Sequence, residues 1–163
     1  KGQHGFAASR ALTILADHQR NLPMATLSER QRKQVTDSFF NVMAMFPSTE
    51  TIRSTHAKCL IRWALQLGLK ADDISAFDRA SLKVPDSRTE KIRSAFHLVY
   101  MICLDHRIED AELELARAYA ERIGLNATVI AGLFQSITTA EYDELDPDEM
   151  ENQIVGFFEQ FVD

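Results

Sequence analysis

Residues 96–125 read FHLVYMICLDHRIEDAELELARAYAERIGL, and this stretch decides the fold. The run up to Leu104 is apolar nearly all round, the pattern of a helix covered by neighbours on every side. Asp105-His106-Arg107-Ile108-Glu109-Asp110-Ala111-Glu112 then forms a short acidic loop that opens a second helix. In that helix Leu113, Ala116, Ala120 and Ile123 share one stripe. Gly124 stops it, because glycine enters the left-handed conformation at little cost.

Working outward, the same logic yields helices throughout. Ser87 with Glu90 is a capping box that starts the central helix. Ser28 with Gln31 repeats the signal and opens a helix to Phe46, with Val35, Phe39, Val42 and Met43 inward and Pro47 as its stop. Ser48 or Thr49 caps the next helix, which carries Ile52, Cys59, Leu60, Trp63 and Leu67 before Gly68. A short helix over 71–80 turns Ile74 and Phe77 inward, and residues 81–86 form a linker. Asn126 caps a helix through Ile137. Asp146-Pro147-Asp148-Glu149 combines an N-cap, a proline at N1 and a capping glutamate ahead of a last helix that buries Ile154, Phe157, Phe158 and Phe161. Residues 8–20, ASRALTILADHQR, give an amphipathic helix with Ala11, Leu12, Leu15 and Ala16 on one face, ended by Asn21-Leu22-Pro23. No stretch alternates with period two for long enough to be a strand. The expected fold is all-α, a bundle of about eight helices in one domain over 1–163.

The bulk numbers agree. The chain has 163 residues, is 45% hydrophobic and 26% charged, and holds only 6 Gly and 4 Pro, the profile of one helical domain with a real core. No apolar run approaches the roughly 18 residues of a membrane span. The first residues, KGQHGF, lack both Met and an apolar signal-like stretch, which reads as an excised domain or a processed start. Cys59 and Cys103 sit in apolar helical stretches, the pattern of two reduced core thiols in a cytoplasmic protein.

Charge is divided along the chain. All 18 Lys and Arg lie at or before Arg122, whereas nine of the 24 acids lie at or after Glu141. A net charge of −6 argues against nucleic acid as a partner. The first 62 residues nevertheless carry nine bases against four acids, a basic face that the acidic tail complements.

A shift of 56 residues brings two halves into register. Phe40 lands on Phe96, Ile52 on Ile108, Trp63 on Tyr119, and Gly68-Leu69 on Gly124-Leu125. The expected units are residues 28–80 and 86–137, with an acidic linker and helix over 138–163. Neither unit hides its apolar face alone, so the two pack about a pseudo-twofold axis.

At these residues the chain resembles the TerB-like family of helical domains related to a tellurite-resistance protein. The family pattern is an apolar helix, then Asp-Gly-x-Ile-x-x-x-Glu, then a helix with a Leu-Gly-Leu-like stop. Here it reads Leu104-Asp105-His106-Arg107-Ile108-Glu109-Asp110-Ala111-Glu112 and Ile123-Gly124-Leu125, with the likeness spanning 34–134. The resemblance implies a non-enzymatic stress-response module that works through protein partners, including a membrane-associated complex. It also implies facing acidic loops that hold a metal. Two departures stand out: His106 replaces the family's glycine, and the first copy has Thr49 and His56 where the second has Asp105 and Glu112.

Two readings of the acidic loop follow. In one, Asp105, Glu112 and Glu109, with His106 and His56, offer ligands to a divalent ion such as Ca²⁺, Mg²⁺ or Zn²⁺; His56 approaches Glu112 and Glu50 approaches His106. In the other, Asp105 caps a turn, and Glu109, Asp110 and Glu112 favour the helix N-terminus by about 0.3–1 kcal/mol each. His97 reads as a satisfied core or edge histidine. The Glu-x-x-His pair of di-iron bundles does not occur, nor does a nucleophile triad or a phosphate-binding glycine loop. The leading expectation is therefore an interaction module without catalytic residues. The alternatives are a metal-dependent hydrolase-like enzyme using the His/carboxylate cluster and a purely structural domain of a larger polypeptide.

Overall fold

A computed structural model of the chain describes residues 27–46, 52–78, 80, 82–142 and 145–161. Among the described residues there are seven helices and no strand: α1 (Glu29–Met43), α2 (Ser54–Gln66), α3 (Ala71–Ser75), α4 (Arg88–Cys103), α5 (Asp110–Arg122), α6 (Thr128–Tyr142) and α7 (Pro147–Phe161). The all-α expectation holds. The helix expected over 8–20 and the caps expected at Ser48 and Thr49 lie outside the described residues.

Helix α4 is the axis of the bundle. Its side chains are buried without a break from Ala95 through Leu104, and it packs against α1, α5, α6 and α7. A helix enclosed by four others has no solvent side, which is why its sequence is apolar all round. Helix α2 stands outside this shell and packs on α1 and α5. The core runs through Phe39, Trp63, Leu98, Met101, Leu115, Leu133 and Ile137.

Local signals set most helix ends. Ser28 Oγ accepts from Gln31 N, and Gln31 Oε1 accepts in return from Ser28 N. Ser87 and Glu90 make the same reciprocal pair. Asn126 Oδ1 accepts from Thr128 N, and Asp146 Oδ1 accepts from Asp148 N. Gly68 and Gly124 have φ of +69° and +78°. After each, the next leucine's N–H reaches back five residues, Leu69 to Ala64 at 2.9 Å and Leu125 to Ala120 at 2.8 Å, which closes the helix in a Schellman turn.

Some boundaries differ from expectation. Helix α1 ends at Met43 rather than Phe46, and the next residues tighten into Met45→Val42 and Phe46→Met43 bonds. Pro47 disfavours helical backbone at the residue before it, and the tightening spreads that constraint upstream. Helix α2 starts at Ser54, with Arg53 in the cap position and no side-chain bond there. Helix α3 covers five residues, not ten. Phe77 beyond it still packs inward, stacked on Phe40 at 4.3 Å. Helix α6 continues to Tyr142, into the expected linker. On α7, Ile154 and Phe158 are buried as expected, but Phe157 is about half exposed. The buried stripe instead runs through Met150, Ile154, Val155 and Phe158, with Glu151 beside it.

The 56-residue shift carries α2, Ser54–Gln66, onto α5, Asp110–Arg122, residue for residue. It does not carry α1 onto α4, whose starts differ by 59 and ends by 60. The connection from α1 to α2 is correspondingly longer than the one from α4 to α5.

Candidate functional site

The acidic loop of residues 104–109 brings α5 against α2. His106 takes φ +55°, the left-handed region in which a side chain costs about 1–2 kcal/mol and glycine costs nothing. Asp105 Oδ1 accepts from Arg107 N at 2.9 Å, a local Asx turn that holds the bend. His106, Arg107, Ile108, Glu109 and Asp110 are exposed.

Glu112 behaves differently from its neighbours. It is 1% exposed, at the head of the buried face formed with Leu115, Ala116, Tyr119 and Ala120. Both oxygens are engaged. Oε2 accepts from Glu109 N at 2.9 Å, which closes the helix start. Oε1 accepts from the Trp63 indole Nε1–H at 2.7 Å, and Trp63 is fully buried. Arg62 Nη2 lies against the same oxygen as an ion pair whose alignment is not that of a hydrogen bond; the indole is the aligned donor. Arg62 Nη1 meanwhile donates to Glu109 Oε1 at 2.5 Å. Two consecutive residues of α2 thus grip two carboxylates at the start of α5.

The electrostatics follow from burial and pairing. Burial works against the charge of Arg62, but its contacts with Glu109 and Glu112 outweigh that effect and raise its pKa above the ordinary arginine value. Cys59, one turn earlier on α2, is a free buried thiol pushed upward first by burial and then by the Glu112 charge. An unpaired carboxylate in this place would cost several kcal/mol. A guanidinium and two N–H donors make it tolerable, and the same bonds tie α2 to α5.

The structure brings together some of the expected site residues and separates others. Glu109 and Glu112 meet through Arg62. His56 pairs with Glu114 Oε2 at 3.1 Å, not with Glu112. The reason is helical phase: Glu112 turns into the core, while Glu114, two residues on, stays exposed and faces the half-buried imidazole. Asp105 is spent on its own turn, and Glu50 lies outside the described residues. Among the described residues, no three His, Cys, Asp or Glu side chains converge as a metal would require. An ion recruiting Glu112 would first have to displace Trp63 and Arg62. Sequence reading missed both of those residues, taking Trp63 as plain core and giving Arg62 no role. The available signal was the spacing of Glu112, Leu115, Ala116 and Tyr119, which places the glutamate on the inward face.

A second buried acid joins α7 to α4. Glu151 Oε2 lies 3.2 Å from His97 Nε2, and Arg93 Nε is 3.4 Å from Oε1. Burial pushes this carboxyl up, but His97, Arg93 and Arg30 outweigh it and hold it below the ordinary glutamate value. His97 is thus a core histidine, as the sequence suggested, and its contact with Glu151 is an ion-pair approach whose alignment is not that of a hydrogen bond.

On the opposite face of α2, Ile61 and Leu65 are 61% and 54% exposed. They sit one turn apart on the stripe that also carries exposed Ser54 and Lys58. Among the described residues, no helix is long and apolar enough to cross a membrane. Comparisons with protein-family models, curated proteins and solved structures find no match to this chain.

Proposed function

We propose that the chain is a non-enzymatic helical interaction module of the TerB-like kind, built from two related units, in which an internal arginine does the work of a divalent ion. The support for two units is the residue-for-residue correspondence of α2 and α5, both closed by a left-handed glycine, and the pairing of α1 with α4 and α2 with α5. The support for an internal cation is the placement of Arg62 between Glu109 and Glu112.

The observation that carries the interaction reading is the outward pair Ile61 and Leu65. Single exposed apolar residues are ordinary on protein surfaces, but two large ones a turn apart make the start of a helix-on-helix contact. Lys58, one turn before Ile61, is exposed on the same stripe, so the partner surface the pair suits is apolar with an acidic edge. The brace behind it fixes the presentation: Arg62 and Trp63 anchor the inner side of α2 while Ile61 and Leu65 face out.

A photo-crosslinking residue at position 61, expressed in the native cell, tests this reading. The expected result is a discrete adduct that disappears when Leu65 is changed to Ser and does not form from the same residue at exposed Glu121. Equal labelling from both positions would overturn it.

A further inference from the structure

The chain between α3 and α4 closes one side of a cavity of about 540 Å³ whose other walls are α1 and the end of α5. Leu82, Val84 and Pro85 line it, whereas Lys83 between them turns out to Glu90 at 3.6 Å. A lone exposed valine is ordinary on a protein surface. Val84, 70% exposed, instead stands at the mouth of a cavity whose lining continues through Ile123 and Tyr119, both buried. The Tyr119 hydroxyl is already taken by Ser94 Oγ at 2.6 Å, so that residue adds ring surface rather than a free polar group.

Two polar groups meet this apolar lining. Arg122, in the last turn of α5, is exposed, and Asn41 on α1 is half-buried. Among the described residues neither side chain has an ion pair or a hydrogen bond, and no acid lines the cavity. A cation in the last turn of a helix is ordinary. One that shares a cavity with a free amide and apolar walls supplies what a carboxylate head requires, a planar fork of N–H donors with a second donor beside it. We propose that this cavity binds a small amphipathic carboxylate, its acid group on Arg122 and Asn41 and its apolar body beneath the strap of residues 82–86. The volume lies within the roughly 300–1,000 Å³ of small-molecule sites. Charge narrows the choice, because the guanidinium disfavours an amine and a neutral head leaves its N–H groups without a charged acceptor. The inference goes beyond the interaction reading: it concerns a small molecule, and no residue of α2 lines the cavity, so either can fail without the other.

The test is an amide-shift titration of the full chain with octanoate, octanol and octylammonium. The expected result is saturable shifts at Asn41, Leu82, Val84 and Ile123, with octanoate bound at least about tenfold more tightly than octanol, the worth of one charge-assisted pair, and octylammonium weaker still. Arg122→Gln should bring octanoate down to the octanol level, and Val84→Asp should weaken octanoate by a similar factor. Both positions are exposed, so neither change disturbs the core. Four outcomes overturn the proposal: no saturable shift, shifts centred on Ile61 and Leu65 or on Phe157, octanol as tight as octanoate, or a preference for octanoate that survives Arg122→Gln. A peptide ending in leucine that displaces octanoate at lower concentration would place a chain terminus in the cavity and overturn the small-molecule assignment as well.

Discussion

Arg62→Met keeps the apolar stem of the side chain and removes its charge. Glu112 would then be a buried carboxylate holding only two of its three partners, the Trp63 indole and the Glu109 N–H. Removing one member of a buried pair costs about 3–5 kcal/mol. Arg62 is 30% exposed, so water entering beside the methionine screens part of the stranded charge. That discount gives about 2–3 kcal/mol, or a melting temperature lower by about 5–10 °C in a domain of this size. The assay is urea and thermal unfolding followed by circular dichroism at pH 7. Adding Glu112→Gln should recover part of the loss, because a neutral amide costs less to bury than a stranded carboxylate. A loss under about 1 kcal/mol, or no recovery in the double variant, would refute the reasoning, since the charge of Glu112 would then not depend on Arg62.

Other perturbations probe separate parts of the account. A methyl group at Gly132 meets Phe158 Cζ at 2.8 Å, so Gly132→Ala should wedge α6 from α7 and cost about 1–3 kcal/mol in urea unfolding. His106→Gly should be at least as stable as the parent, whereas His106→Val, β-branched at φ +55°, should lose about 1 kcal/mol or more by thermal melts. The carboxyl of Glu151 is held below its ordinary value of 4.5, so its pairing stabilises the fold above that pH and is lost as pH falls through the lowered value. Glu151→Gln should therefore flatten the acid limb of the stability profile.

Helix ends and the central helix were legible because their causes are local. Ser28 with Gln31, Ser87 with Glu90, and Gly124 each act within a few residues, and the apolar run through Leu104 has one physical solution. The 56-residue offset read from the sequence matches the bounds of α2 to those of α5 but not those of α1 to α4, because the inter-helix connection differs in length and no local signal records that. The acidic loop was legible as a bend; of its two readings, the capping one has its counterparts in the Asp105–Arg107 and Glu112–Glu109 bonds. The inward face of Glu112 is written in its spacing with Leu115, Ala116 and Tyr119, but its partners are not, because Trp63 and Arg62 lie some 50 residues earlier and meet it only through tertiary contact. The same helical phase leaves His56 facing Glu114 instead.

Trp63 is the only tryptophan of the chain, so its indole N–H gives a single resonance that reports directly on the Glu112 carboxylate. The decisive measurement is that resonance, and its exchange with solvent, during titration with Ca²⁺, Mg²⁺ and Zn²⁺ and after chelation. An internally braced site keeps it protected and unmoved throughout. A shift that saturates with any of the three ions, together with loss of protection, would mean that the carboxylate belongs to a metal and that Arg62 does not stand in for one.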